Sequence, residues 1–186
     1  YNTKGCIGKS FNSLLKAAGK SDKGEDSGTS AGSFGIGKNA SFAISELQTV
    51  FYSTVFRDET TGNLEYRAQG RTKLVSHTTL ANEQLKNEGW WGLSGFEPIK
   101  DQRIVPEWMK RSELGTSIYT LGFREEKEWK YRVVAALLRT FFVAIRDGNM
   151  EFSVGDDIHL SSSNIGEYFE NSAVIEAAEA SHAKED

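Results

Sequence analysis

Residues 32–39 read Gly-Ser-Phe-Gly-Ile-Gly-Lys-Asn and run into Ala-Ser-Phe-Ala-Ile-Ser-Glu-Leu, a segment with helical character. A glycine-rich turn that opens a helix suits an anion. Its N–H groups point outward, and the unpaired N–H groups and positive dipole end of the helix add to them. Glycine is needed where the backbone takes positive φ or approaches a phosphate without a Cβ in between. The other reactive residue types are scattered. Cys6 has no neighbouring His to activate it, and His77, His159 and His182 lack metal-ligand spacing, so the sequence assigns no metal ligands. Asp156–Asp157 and Glu125–Glu126 read as turn and helix-start acids, and Trp90–Trp91 as packed aromatics.

The elements that must position this turn follow from periodicity. Phe11, Leu14, Leu15 and Ala18 fall on one helical face, which Gly19 ends. Residues 20–33 are polar and Gly/Ser-rich and read as a loop. A second helix is predicted over 37–47, a strand over 48–56, a turn over 58–63 and a return strand over 66–77. Residues 78–113 read as a loop-rich insertion interrupted by Pro98 and Pro106, with a short helix near 107–111. Residues 116–123 form a further predicted strand, and 127–146 the longest helix, stopped at Gly148. That helix carries two apolar faces, one with Val133, Leu137 and Phe141 and one with Val134, Leu138, Phe142 and Ile145. Burial on both sides is therefore expected. A hairpin around Gly155–Asp156 and a weakly helical segment over 164–182 complete the chain. The order predicts an α+β fold, with domains at 1–150 and 151–186.

Composition narrows the function classes. A net charge of −4 over 186 residues argues against a nucleic-acid surface, which carries a basic excess. One cysteine excludes an internal disulfide framework and points to a reducing, cytoplasmic compartment. No apolar run is long enough to span a membrane, so no membrane partner is expected.

Two familiar phosphate loops fit poorly. Gly32-x-x-x-x-Gly37-Lys38 is followed by Asn39, where a P-loop places the Ser or Thr that holds Mg²⁺, and no hydrophobic strand precedes it. Gly8-Lys9-Ser10 lacks the earlier glycine, with Thr3 in its place. A dinucleotide-binding turn also requires a preceding strand. The order over residues 11–55 instead resembles the GHKL superfamily of gyrase, heat-shock chaperone, histidine kinase and mismatch-repair ATPases. A helix ending in Ala18-Gly19-Lys20-Ser21, a lid, the Gly-x-Phe-Gly-x-Gly segment 32–37, a helix and a strand follow one another. A second box, Gly115-Thr116 opening a strand, lies about eighty residues further on. Together with the start Tyr1-Asn2-Thr3, the glycine segment is similar to bacterial members found beside restriction and phage-defence genes.

The resemblance implies a two-layer Bergerat-type sandwich, a mixed sheet covered on one face by helices. ATP and Mg²⁺ are the implied ligands. Gly32, Gly35, Ile36, Gly37 and Lys38 would hold phosphates, Lys20 and Ser21 would reach them from the lid, and Thr116 would join the adenine pocket. Hydrolysis would use an upstream Glu to orient water, and an upstream Asn for the metal. Both would precede Tyr1, as would the adenine-binding Asp, so a longer ATPase is expected. Homodimerisation through other regions, with DNA or defence-system proteins as partners, is also implied. A catalytically inactive interaction module of the same fold is the alternative.

Overall fold

A computed structural model describes Phe11, Leu15 and residues 39–58 and 60–182. Its contacts divide the chain into two compact units, Tyr1–Arg124 and Glu125–Asp186. The fold is α+β. Among the described residues, no helix is long and apolar enough to cross a membrane.

In the first unit, a short helix α1 (Ala40–Ala43) leads into β1 (Ser45–Arg57), and β2 (Leu64–Lys73) returns beside it. The connecting turn is closed by Asp58, whose carboxylate accepts from the Thr60 and Thr61 N–H groups at 2.9 and 2.7 Å. Gly62 follows at φ 72°. These bonds hold the Asp58 carboxyl below the usual carboxylate range. A two-stranded arm, β3 (His77–Thr78) and β4 (Gln84–Leu85), precedes β5 (Glu88–Trp91), and β6 (Gly115–Phe123) ends the unit. The sheet order is β5-β2-β1-β6. Every pairing in it is antiparallel. The mixed sheet expected from the sequence is thus antiparallel among the described strands: a short turn reverses the chain between β1 and β2, and longer connections bring β5 and β6 back in reversed direction at the two edges.

The predicted helix over 37–47 is cut to Ala40–Ala43 among the described residues. Side-chain bonds favour an irregular strand start over a continued helix. Ser45 Oγ donates to the Leu121 carbonyl at 2.5 Å and accepts from Thr49 N–H at 3.1 Å. Gln48, at φ 47°, donates from Nε2 to the carbonyls of Phe42 and Ser45, both at 2.9 Å. This is a β-bulge: the register with β6 shifts between Ser45 and Thr49.

Both faces of the sheet are covered. Successive strand residues point to opposite sides. On one side Val50 and Tyr52 pack with Phe11, Leu15 and Phe42, and with Trp90. On the other, Val55, Tyr66 and Ala68 pack with Ile99, Val105 and Met109 from the turn-rich segment before β6. Phe11 and Leu15 are helical and buried, as their spacing predicts. Trp90 and Trp91 are neighbours in β5, so one ring joins each cluster.

In the second unit, α2 (Trp129–Arg146) is followed by the hairpin β7 (Phe152–Val154) and β8 (Ile158–Leu160), then α3 (Ile165–Phe169) and α4 (Ser172–His182). Val134, Leu138 and Ile145 share a core with Val154, Leu160, Ile165 and Val174. The division therefore falls at Arg124/Glu125 rather than after residue 150: α2 shares its core with the elements that follow it. Gly148 stops α2 at φ 71°, with its N–H on the Ile145 carbonyl at 3.0 Å. The expected burial of both α2 faces is not found. Val133 is 39% and Val143 57% exposed, because the short hairpin and helices cover only the Val134–Leu138–Ile145 stripe.

Candidate functional site

The face of the sheet bearing Phe11, Leu15 and Phe42 is buried yet polar. By register, Thr54 of β1 lies between Arg67 of β2 and Thr116 of β6, so all three share this face. Thr54 Oγ1 donates to the Gly115 carbonyl at 3.0 Å and sits 2.9 Å from Thr116 Oγ1. With its one proton on Gly115, Thr54 can only accept from Thr116. That leaves the lone pairs of Thr116 Oγ1 free to accept a further proton donor. Thr116 is exposed, whereas Thr54 is buried.

On the opposite face of β6, Arg111 packs against the strand start. Its guanidinium donates to the Glu113 and Leu114 carbonyls at 2.9 and 3.0 Å and to Ser117 Oγ at 2.8 Å. Gly115 lies against it at φ 128°, and a Cβ there would meet Arg111 Nη2 at 2.6 Å. Glycine before Thr116 is thus required twice, by the backbone angle and by the guanidinium packed on it. The sequence reading took no notice of Arg111, and nothing in its spacing marks it out.

Along β2 the residues Arg67, Gln69, Arg71 and Lys73 alternate onto the same face. Arg67, Gln69 and Arg71 are buried. Arg67 lies over the Phe56 ring and pairs with Glu65. Arg71 lies 5.1 Å over Trp90, donates to the Leu15 carbonyl at 2.7 Å and pairs with Glu88. Gln69 Nε2 donates to the Phe96 carbonyl at 2.9 Å. Among the described residues, Gln69 Oε1 and Arg71 Nε find no hydrogen-bond partner although both atoms are buried. Two orphaned polar atoms, one acceptor and one donor, sit two residues apart on this one face. Burial pushes the Tyr52 phenol up, against the nearby Arg71 charge. Burial also pulls the Lys73 ammonium down, helped by Arg71. The sequence did carry a signal here. The alternation Arg-x-Gln-x-Arg-x-Lys marks a two-faced strand, but polar residues are normally assigned to the solvent side.

Of the sequence-predicted site, Thr116 falls in β6 beside Thr54. Gly32, Gly35, Ile36, Gly37, Lys38, Lys20 and Ser21, like Cys6, lie outside the described residues. Among the described residues, no three His, Cys, Asp or Glu side chains group to hold a metal. His77 lies in β3 and His159 in β8. Glu126 pairs with Arg132 and Asp157 with Lys130, which holds the Asp157 carboxyl below its usual range. No family model matches the chain, and no curated protein and no solved structure is significantly similar to it.

Proposed function

We propose that this chain is the ATP-binding part of a GHKL-type ATPase with a Bergerat-type sandwich. In it, ATP binding and Mg²⁺-dependent hydrolysis drive conformational change or dimerisation, in a cytoplasmic DNA-related or phage-defence setting. The observation that carries the reading is the Thr54–Thr116 hydroxyl pair, on the face that also bears Phe11, Leu15 and Phe42. The Gly-Thr box was singled out for an adenine pocket, and the free lone pairs of Thr116 suit the donor character of an adenine amino group. The glycine segment 32–38 supplies main-chain N–H groups for the phosphates. Mg²⁺, if bound with the nucleotide, would supply neutralisation of charge on the phosphates.

A melting experiment tests this. A ligand that binds only the native state must raise the melting temperature, by an amount that grows with the logarithm of its concentration. ATP is expected to do so in the full chain, and GTP to do so less, because its ring presents a carbonyl where adenine presents an amine. Equal shifts with ATP, GTP and no nucleotide would end the reading. The exposed apolar side chains of α2, Val133 and Val143 among them, favour a second reading as an inactive interaction module of the same fold. An ATP-insensitive melt is the outcome expected of that module.

A further inference from the structure

The two edges of the Tyr1–Arg124 sheet differ. At one edge stands β5, four residues long and opened by Glu88, whose side chain is 41% exposed. At the other stands β6, nine residues long, and nothing in Gly-Thr-Ser-Ile-Tyr-Thr-Leu-Gly-Phe is charged or a proline. Among the described strands it pairs with β1 alone. Alternate residues of an antiparallel edge strand turn both N–H and C=O away from their neighbour. Over Gly115–Leu121, the outer side of β6 therefore offers a row of donors and acceptors that no described strand takes up. Short length and charge are the usual means of keeping such a row from pairing with another chain. The β5 edge has both, and the β6 edge has neither.

The strand also fits a copy of itself. Its regular pairing with β1 covers Gly115–Leu121, with Ile118 at the middle. A two-fold axis perpendicular to the sheet through Ile118 sets that residue against Ile118 of a second copy, Thr116 against Thr120 and Ser117 against Tyr119. Every side chain keeps its own face. Aliphatic and hydroxyl pairs of this kind stabilise antiparallel neighbours, and none of them opposes like charges. Ile118 is 47% exposed, and Leu114, just before the strand, 55%. The same axis carries Glu113 of one copy to the Arg124 end of the other, acid to base, whereas parallel alignment would set like against like. Arg111 is held within its own copy by Ser117 and the Glu113 and Leu114 carbonyls. About six to eight backbone hydrogen bonds would form, within the range of an ordinary protein interface.

We infer that β6 is a self-association strand, through which two copies join antiparallel over Gly115–Leu121 and double the four-stranded sheet. The pairing lies in the plane of the sheet and leaves its faces as they are, so the inference stands apart from the nucleotide reading.

Sedimentation equilibrium of the full chain without nucleotide, over a wide concentration range, tests this on wild type, Ile118→Lys, Ile118→Glu and an equimolar mixture of the two variants. Cooperative melting of each variant confirms that it folds. The wild type is expected to dimerise. Each variant sets like charges about 5 Å apart at the axis and should weaken the dimer at least about tenfold. The mixture should recover most of that loss, because lysine then faces glutamate. Amide exchange of the wild type is a second readout that needs no variant: protection of alternate amides in 116–121 should rise with protein concentration. A dimer equally strong in both variants lies on another surface and overturns the inference. A wild type that stays monomeric overturns it too, with protected outer amides showing that the chain covers its own edge and fast exchange showing the edge bare. Assemblies that grow beyond two copies through β6 overturn the two-fold pairing.

Discussion

The two faces of the Tyr1–Arg124 sheet are built on opposite principles. On the face covered by turns, Val55, Tyr66 and Ala68 meet Ile99, Val105 and Met109. Phe51, Trp91, Trp108 and Tyr119 close over them in edge-to-face contacts 5.0 to 5.6 Å apart. Gly70 is part of that packing, since a Cβ there would lie 2.6 Å from the Phe51 ring. On the face bearing Phe11, Leu15 and Phe42, the buried set includes Thr54, Arg67, Gln69 and Arg71. The first face is a conventional apolar core. The second buries more groups that are expensive to desolvate and leaves Gln69 Oε1 and Arg71 Nε without partners among the described residues, against Ser53 Oγ alone on the first. Stability alone gives no reason to build a sheet face that way, whereas recognition of a polar ligand does.

Substitutions on the two faces should separate accordingly. Met109→Ala removes a fully buried side chain from the turn-covered face and is expected to destabilise by about 2–4 kcal/mol in urea unfolding. ATP-dependent stabilisation should survive it. A matching loss of ligand binding would mean that the faces are not independent.

Arg71→Leu should come next, at about 2 kcal/mol. It leaves the Leu15 carbonyl without its donor and Glu88 without its cation. Glu88, 41% exposed at its side chain, can turn to water, which keeps the effect below that of a fully buried pair.

Tyr66→Phe tests the apolar face through a polar anchor within it. The phenol donates to the Met109 carbonyl at 2.8 Å, and its loss is expected to lower stability by about 1 kcal/mol. Burial, with Tyr119 beside it, pushes the Tyr66 phenol up to about 12. A group whose folded pKa is raised contributes stability that is complete below its unfolded pKa, near 10. That contribution is lost as pH rises through about 12. Tyr66→Phe should therefore lose stability less steeply between those pH values, and absorbance titration of tyrosinate should show one late-ionising group fewer than in the wild type, in which the Tyr52 phenol is also pushed up.

Thr116→Val should have the smallest effect on stability, under about 0.5 kcal/mol, since the residue is exposed and the replacement is β-branched. Its effect should appear in binding, as a fall of about tenfold in ATP affinity by calorimetry. An unchanged affinity would remove Thr116 from the site and blur the contrast between the faces.

Much of the scaffold was legible because local rules and tertiary contacts agree. The Asp58–Gly62 turn, the strand at Gly115–Phe123, the stop at Gly148 and the Gly155 hairpin stand where their residues suggest. Periodicity failed where side-chain bonds compete with it. Ala-Ser-Phe-Ala-Ile-Ser-Glu-Leu has helical spacing, yet Ser45 and Gln48 bond into a bulge and the strand begins early. The two apolar faces of α2 suggested full burial, but amphipathicity measures what a helix offers and not what covers it. The strand start at Thr116 was legible through its Gly-Thr box, while its hydroxyl contact with Thr54, the Arg111–Ser117 bond and the Lys73–Asn39 bond were not. Each acts across a sheet register that no local spacing encodes.

By itself, the sequence determined the α+β class, three of the four strands of the central sheet and the glycines on which tight backbone turns depend. These are set by short-range sterics and by the two-residue and 3.6-residue periods of strand and helix. Tertiary structure alone decided that Arg67, Gln69 and Arg71 are buried and that Lys73 meets Asn39. A strand pattern says which residues share a face. Only packing says whether that face looks on water or on Phe11, Leu15 and Phe42, and the same lysine is a solvated charge in the first case and a half-buried one, bonded to Asn39 over the Phe42 ring, in the second.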